Sequence, residues 1–309
     1  MTTAGPLEWT VFWTIVVVVM AIDLGLGRSS SLRTAWIWSG AWIVLSLLFG
    51  GWLALRFGGD AGMTYLTAYL LEKSLSLDNL FVFALVFART GIPPALQPRA
   101  LLWGIVSTLV MRAILIGAGI YLLTRFHWVI YPFAALLLYA AAQMVLGEKQ
   151  QRALVEATCS VCTSWIARWI RITPVADTAN FLVRKQGRPY ATPLLVALVG
   201  IEMTDVIFAF DSIPAVLAIT RDPFLVYTSN VFALLGLRSL YLVLASVIQR
   251  LRFLRLALAV VLVFVAAKML MGEFVEIAPG VSLAIIAGIV TMSAIVSRVL
   301  PARATGHER

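Results

Sequence analysis

The chain has 309 residues, of which 61% are hydrophobic and only 13% are charged. A soluble domain carries about a quarter charged residues, so this composition excludes an ordinary cytosolic enzyme. The apolar residues fall into blocks of roughly 20, the length that crosses the hydrocarbon core of a bilayer. The sequence therefore predicts an all-α polytopic membrane protein that forms a single integral membrane domain over residues 1–309.

Apolar runs of bilayer length, separated by Gly, Pro and charged residues, predict nine transmembrane helices. They cover approximately residues 9–27, 35–55, 64–87, 101–123, 128–147, 192–219, 225–247, 254–272 and 281–299.

The basic residues indicate the orientation of these helices. One set of loops and adjoining helix ends, which includes the long loop 148–190 and the C-terminal tail, carries 17 Lys and Arg, whereas the opposite set carries three. The positive-inside rule then places the N-terminus outside, and the long loop and the C-terminus in the cytoplasm. The net charge of +9 is explained by these loops, so we expect no nucleic-acid partner.

The only two cysteines, Cys159 and Cys162, form a CxxC motif in the predicted cytoplasmic loop. Such a pair can bind a soft metal or respond to redox conditions. A structural zinc site needs four ligands, however, and this motif supplies two. We interpret the pair as ordinary reduced thiols.

Three sequence segments recur in order along the chain. Residues 71–81 resemble 204–214, 108–123 resemble 232–245, and 141–148 resemble 266–273. The repeats cover about 64–148 and 192–273, which correspond to predicted helices three to five and six to eight. Because each repeat has three helices, the second enters the membrane with opposite polarity. Inverted-topology repeats are typical of transporters whose substrate site lies near the midplane.

Acidic residues stand out at membrane depth in both repeats. Each costs about 2.5–3.5 kcal/mol at the centre of a helix, so these side chains must face the interior of the bundle. Four intramembrane basic residues can pair with acids, but adding Asp23 of the first helix gives six acids against four bases. The surplus of two matches a divalent cation, although protonation can also remove it. The five acids are Glu72, Asp78, Glu202, Asp205 and Asp211, and the bases are Lys73, Arg112, Arg238 and Lys268.

The spacing of the acids suggests the local geometry. Glu202 and Asp205 are three residues apart and share one face of a helix, whereas residues six apart point about 120° away from each other. For Glu72 and Asp78 to converge, their helix must tighten or unwind. With Pro214 close behind Asp211, we expect interrupted helices at matched positions of the two repeats.

The chemistry of the predicted spans narrows the substrate. They contain neither Cys nor His, so copper and zinc lack favoured ligands there. Carboxylate, amide and hydroxyl oxygens suit Mn²⁺, Mg²⁺ or Ca²⁺, and Asn79 and Ser212 add two such oxygens to the acids.

Residues 72–87, 126–133 and 192–245 resemble the TerC family of integral membrane proteins. The resemblance implies an inverted-repeat transporter of the cytoplasmic membrane that exports Mn²⁺, with no tightly bound cofactor. The positions that match the acidic motifs of the family are Glu72, Asp78, Asn79, Glu202, Asp205, Asp211 and Ser212.

The sequence also bears on two other functional classes, an intramembrane protease and a membrane scaffold. An intramembrane aspartyl protease would carry Tyr-Asp and Gly-x-Gly-Asp motifs, but Asp78 follows Leu77 and Asp211 follows Phe210, so we do not expect an enzyme. A non-transporting membrane scaffold or assembly factor of the TerC type is the alternative. The chain has no G-x-x-x-x-G-K-[ST] nucleotide-binding loop, so for a transporter we expect coupling to protons.

Overall fold

The computed structural model describes residues 4–26, 32–146, 148–173, 179–185, 187–247, 253–272 and 277–299. Eleven α-helices and a small sheet lie within these residues. The helices are α1 (Pro6–Leu26), α2 (Leu32–Phe57), α3 (Gly59–Thr90), α4 (Gln97–Arg125), α5 (Ile130–Leu146), α6 (Glu148–Trp169), α7 (Pro193–Leu217), α8 (Pro223–Leu234), α9 (Leu237–Val247), α10 (Leu254–Met271) and α11 (Pro279–Val299).

The prediction of an all-α polytopic membrane protein is confirmed. By length and composition, six described helices can cross a membrane, or seven if the bent pair α8 and α9 forms one span. Helix α3 falls outside this set because Glu72, Lys73 and Asp78 lie in its middle. Helix α1 is apolar over Pro6–Ile22, the part of it whose side chains the structure describes. The total of nine spans stays a prediction.

Helix α3 occupies the centre of the bundle, where it contacts α2, α7, α8 and α11. The other main contacts join α4 to α7 and α5 to α10. An aromatic cluster fixes α8 against α1 and α2, with the rings of Phe49 and Phe232 4.6 Å apart and Phe12 next to Phe224. Burial of such large apolar side chains is what packs α8 into the interior.

The predicted seventh helix, residues 225–247, is broken, although its apolar pattern predicts one continuous span. It forms α8 and α9, which bend by 42° at Leu235 and Gly236. Gly236 has a φ of 80°, and a Cβ there would lie 2.3 Å from Cδ1 of Trp42. Lys73 Nζ donates to the carbonyl oxygens of Ala233 (2.9 Å) and Leu235 (3.2 Å), which the break leaves without helical partners. Glycine and this lysine therefore make the break possible.

The prediction of interrupted helices at the acidic residues is wrong. Helix α3 is continuous through Glu72 and Asp78, and α7 is continuous through Asp211 and Pro214. Pro214 is tolerated near the C-terminal end of α7, where few residues follow it. The acids approach each other because the two helices pack together, and the backbone between them does not unwind.

The segment 148–190, predicted only as a loop, contains α6 and a three-stranded sheet. The strands are β1 (Arg171–Ile172), β2 (Leu182–Lys185) and β3 (Arg188–Ala191), in the order β1-β3-β2. Strand β3 pairs in parallel with β1 and antiparallel with β2. Helix α6 packs its apolar face on α7, and both cysteines lie buried on that face.

Candidate functional site

Arg112 of α4 joins the acids of the two predicted repeats. Its side chain is only 1% exposed, and its Nη1 donates to Glu72 Oε1 of α3 and to Asn230 Oδ1 of α8 at 3.2 Å. Its Nη2 lies 3.4 Å from Asp205 Oδ1, and its Nε lies 3.5 Å from Asp205 Oδ2. One guanidinium thus holds two carboxylates and an amide on three helices, all of them buried.

The charges in this group do not balance when both acids are ionised. Arg112 carries one positive charge against the two carboxylates of Glu72 and Asp205. Glu72 Oε2 and Asn230 Nδ2 are buried, and neither has a hydrogen-bond partner within the described ranges. Buried polar atoms are satisfied in most structures, so unpartnered atoms at a charged site point to a ligand or a proton.

A second ion pair involves Asp78, further along α3. Arg255, the second residue of α10, donates from Nε to Asp78 Oδ1 at 3.1 Å. The guanidinium carbon also lies 4.4 Å from the centre of the Phe81 ring. Asn79, the next residue on α3, is buried as well. The structure therefore places a cation directly against each of the two α3 acids.

Asp211 lies on α7, which packs against α3, the helix of Glu72 and Asp78. Its Oδ1 is buried and has no hydrogen-bond partner among the described residues. The hydroxyl oxygens of Ser212 on α7 and Ser76 on α3 are buried and unpartnered in the same way. Carboxylate and hydroxyl oxygens of this kind are ligands for hard cations.

Glu202 lies one helical turn from Asp205 and faces α4 next to Ser107. Its Oε1 is buried without a hydrogen-bond partner among the residues that the structure describes, and a Cβ at Gly104 would lie 3.5 Å from it. Glu202 and Asp205 therefore share a helix face, as the spacing predicts, but Arg112 bonds to Asp205 and Glu72.

The two lysines among the candidate charge-balancing residues donate to neutral oxygens. Lys73 binds the carbonyl oxygens at the break between α8 and α9, and Lys268 donates to Ser282 Oγ at 2.9 Å. Arg238 lies on α9. Asp23 lies on α1, and its side chain is outside the described part of the chain.

Sequence reasoning missed two contributors to this region. In the sequence, Arg255 looks like one more basic residue at a helix end. Its partner Asp78 is 177 positions away, so the sequence gives no local sign of their contact. Asn230 was not singled out, although a polar side chain within an apolar helix is the same kind of signal as the acids. It lies fully inside the bundle against Arg112.

The acids do not form a ready-made metal centre. Within the part of the chain that the structure describes, no three His, Cys, Asp or Glu side chains group closely enough to hold a metal ion. Arg112 lies between Glu72 and Asp205, and Arg255 lies against Asp78.

Comparison with known proteins places the chain in a family. A family model described as "Integral membrane protein TerC family" matches residues 57–305. A protein of Salmonella typhi named "Putative membrane-bound redox modulator Alx" is 42% identical over 311 residues, covering 96% of both chains. Its namesake in Escherichia coli K12 is 41% identical with the same coverage, and an uncharacterized membrane protein of Myxococcus xanthus is 41% identical over 297 residues. No solved structure matches. The chain is a member of the TerC family of integral membrane proteins.

Proposed function

We propose that the protein exports a divalent cation, Mn²⁺, across the cytoplasmic membrane, and that protons move in the opposite direction. The observation that carries this proposal is the set of buried, unpartnered oxygens on α3 and α7. In the part of the chain that the structure describes, four oxygens lie inside an apolar bundle without a hydrogen-bond partner: Glu72 Oε2, Ser76 Oγ, Asp211 Oδ1 and Ser212 Oγ. A non-transporting scaffold has no use for such costly groups.

The chemistry of these groups favours a hard cation. Carboxylate and hydroxyl oxygens suit Mn²⁺, Mg²⁺ and Ca²⁺, while copper and zinc prefer sulfur or imidazole ligands. Membership of the TerC family and the resemblance of its acidic motifs favour Mn²⁺ among the three. The cation is the substrate, and we expect no tightly bound cofactor.

Arg112 and Arg255 occupy carboxylate oxygens of the site in this structure. Because guanidinium groups lie against Glu72 Oε1, Asp205 and Asp78, a divalent cation must displace a guanidinium to bind these oxygens together with the unpartnered ones. Binding is then coupled to side-chain movement, as alternating access between two helix repeats requires.

Protons can supply the energy for export. Moving a divalent cation out against an inside-negative potential of 100 mV costs about 4.6 kcal/mol, twice the 2.3 kcal/mol for a single charge. A carboxylate must lose its proton to bind a metal, so metal binding and proton release are linked. Protons that enter from outside would reload the same acids and release the cation.

Transport by purified protein in proteoliposomes tests the proposal. We expect uptake of Mn²⁺ exceeding that of Mg²⁺ and Ca²⁺, and acceleration by a pH gradient when the membrane potential is clamped. Liposomes without protein give the background. Protein-dependent uptake that is absent for all three ions would reject transport, and uptake indifferent to the pH gradient would reject proton coupling.

The name of the Alx relatives raises thiol chemistry as a second candidate, since Cys159 borders a cavity of about 460 Å³ between α3, α6 and α7. Burial raises the pKa of both Cys159 and Cys162, with Arg89 lowering that of Cys159 to a smaller extent. A raised pKa leaves less thiolate at neutral pH, so the pair is poorly suited to thiol exchange.

Alkylation rates test this assignment of the thiols. At neutral pH we expect the native cysteines to react with iodoacetamide much more slowly than a cysteine introduced by Ser160→Cys, because Ser160 is exposed. Their rate should rise only at alkaline pH, as the thiolates form. Native cysteines that react as fast as the introduced one at neutral pH would instead favour the thiol function.

A further inference from the structure

Arg255 occupies a position that electrostatics disfavours unless it has a partner. It is the second residue of α10, where the positive end of the helix dipole repels a cation. Its partners include the Asp78 carboxylate, 3.1 Å from Nε, and the face of the Phe81 ring, 4.4 Å from the guanidinium carbon. Asp78 and Phe81 are three residues apart on α3, so Arg255 spans one face of that helix.

Arg255 also connects the buried site with the outside of the bundle. Its side chain is 20% exposed, whereas that of Asp78 is 6% exposed. Asp78 is six residues from Glu72, which is about 9 Å along the axis of a helix. Arg255 is thus the accessible member of an ion pair whose other member belongs to the acidic cluster.

The contacts of α11 show at which end of the bundle this ion pair lies. The start of α11 meets the start of α3, because the Pro279 carbonyl lies 3.5 Å from Thr67 Oγ1. The end of α11 meets the start of α10, where Phe253 N donates to Ser297 Oγ at 3.4 Å. Helix α10 therefore begins towards the end of the bundle at which α3 ends, and Asp78 is nearer to that end than Glu72.

We infer that Arg255 is a gating residue, a tethered cation that closes the acidic cluster from the end at which α10 begins. The inference rests on the proposed transport function. With no substrate bound, the guanidinium neutralises Asp78 and covers it together with Phe81. An arriving divalent cation competes for Asp78, and release of Arg255 opens the route to Glu72 and Asp205.

Thiol accessibility without any metal tests the gate. Ser74 is buried one turn before Asp78 on the same face of α3, so Ser74→Cys in a Cys159→Ser, Cys162→Ser background reports on access past Asp78. In Arg255→Gln we expect an impermeant maleimide to label this cysteine faster when it is added on the side of the membrane at which α10 begins. Labelling from the opposite side of the membrane should not change. A hydrogen bond to a charged group predicts an increase of roughly ten- to a hundredfold.

Two variants make this labelling result specific. Arg255→Lys keeps the positive charge and should label nearly as slowly as the parent protein. Arg56→Gln breaks the ion pair with Glu8, whose N–O distance is 3.2 Å, near the start of α3, and should leave labelling unchanged. Unchanged labelling in Arg255→Gln would overturn the inference. An increase in labelling from both sides of the membrane would also overturn it, because it would show that the whole bundle has loosened. Mn²⁺ uptake by the wild type is measured separately, so failure of the transport proposal is distinguishable from failure of the gate.

Discussion

Arg112 shows at the scale of one residue why arginine is required at this position. Its planar guanidinium presents donors in several directions, and these reach Glu72, Asp205 and Asn230 on three different helices. Lysine offers a single compact ammonium group and could not span the same partners. The side chain therefore ties α3, α7 and α8 to α4 at the level of the acids.

Removal of this guanidinium should destabilise the protein. In Arg112→Gln, Glu72 and Asp205 remain buried without their cation, and we expect a loss of about 3–5 kcal/mol in the free energy of unfolding. Arg112→Lys should lose less, because the charge remains. Thermal unfolding of purified protein in detergent measures both effects.

Arg56→Gln is the matched control for this stability measurement. It removes an ion pair with Glu8 in which the arginine side chain is 57% exposed, so water can replace much of the lost interaction, and we expect a smaller loss than in Arg112→Gln. An Arg112→Gln protein that unfolds at the same temperature as this control would contradict the structural role of Arg112.

The acids themselves could be identified from the sequence, but their partners could not. A carboxylate in an apolar run is conspicuous because the membrane makes it costly. Which cation lies opposite depends on helix packing, and the sequence does not encode that distance locally. The number of intramembrane bases allows up to four ion pairs with acids. In the structure, Arg112 holds two acids and Lys73 binds carbonyl oxygens. The cation next to Asp78 is Arg255, at the start of another helix.

The break between α8 and α9 is the main departure at the scale of the elements. Uninterrupted apolar sequence predicts one span over 225–247, because an apolar run reports burial and length but not backbone continuity. The break depends on Gly236 against Trp42 and on Lys73, residues that are far apart in sequence. Helix α6 does not stand out in the sequence for a related reason. Its 22 residues are too polar on average to resemble a membrane span.

Gly236→Ala should destabilise the bundle at this break. Alanine at a φ of 80° is strained, and its Cβ would lie 2.3 Å from Trp42 Cδ1. We expect a loss of roughly 2–5 kcal/mol, the sum of about 1–2 kcal/mol for the left-handed backbone and about 1–3 kcal/mol for overpacking. Thermal unfolding measures this loss, and Gly117→Ala in α4, where a Cβ meets nothing within 4 Å, is the control. Equal unfolding temperatures for the two variants would contradict this account of the break.

The helix contacts of the whole molecule follow the order that the predicted repeats suggest. The first helix of each repeat packs on the second helix of the other, as α3 packs on α8 and α7 packs on α4, and the third helices α5 and α10 pack together. An inverted repeat predicts this reciprocal arrangement, and the repeat itself stays a prediction. The acids of α3 and α7 lie where the two predicted repeats pack together, which is where inverted-repeat transporters hold their substrate.

The distribution of basic residues predicts the orientation of the whole molecule in the membrane. From the distribution of Lys and Arg, we expect the exposed Ser160 on α6 to face the cytoplasm. A cysteine at this position, in a Cys159→Ser, Cys162→Ser background, should not react with an impermeant reagent in intact cells and should react in inside-out vesicles. Rapid reaction in intact cells would reverse the proposed orientation.

The central claim is that the buried acids carry the divalent cation, and Mn²⁺ uptake by charge-neutral variants in proteoliposomes tests it most directly. Asp222→Asn is the control, because Asp222 is a buried acid outside the cluster that caps α8 by accepting hydrogen bonds from Phe224 N and Leu225 N, a role that Asn can keep. We predict that Asp78→Asn and Asp211→Asn remain folded but lose most of the Mn²⁺ flux, while Asp222→Asn retains it. Wild-type flux in both cluster variants would contradict the account.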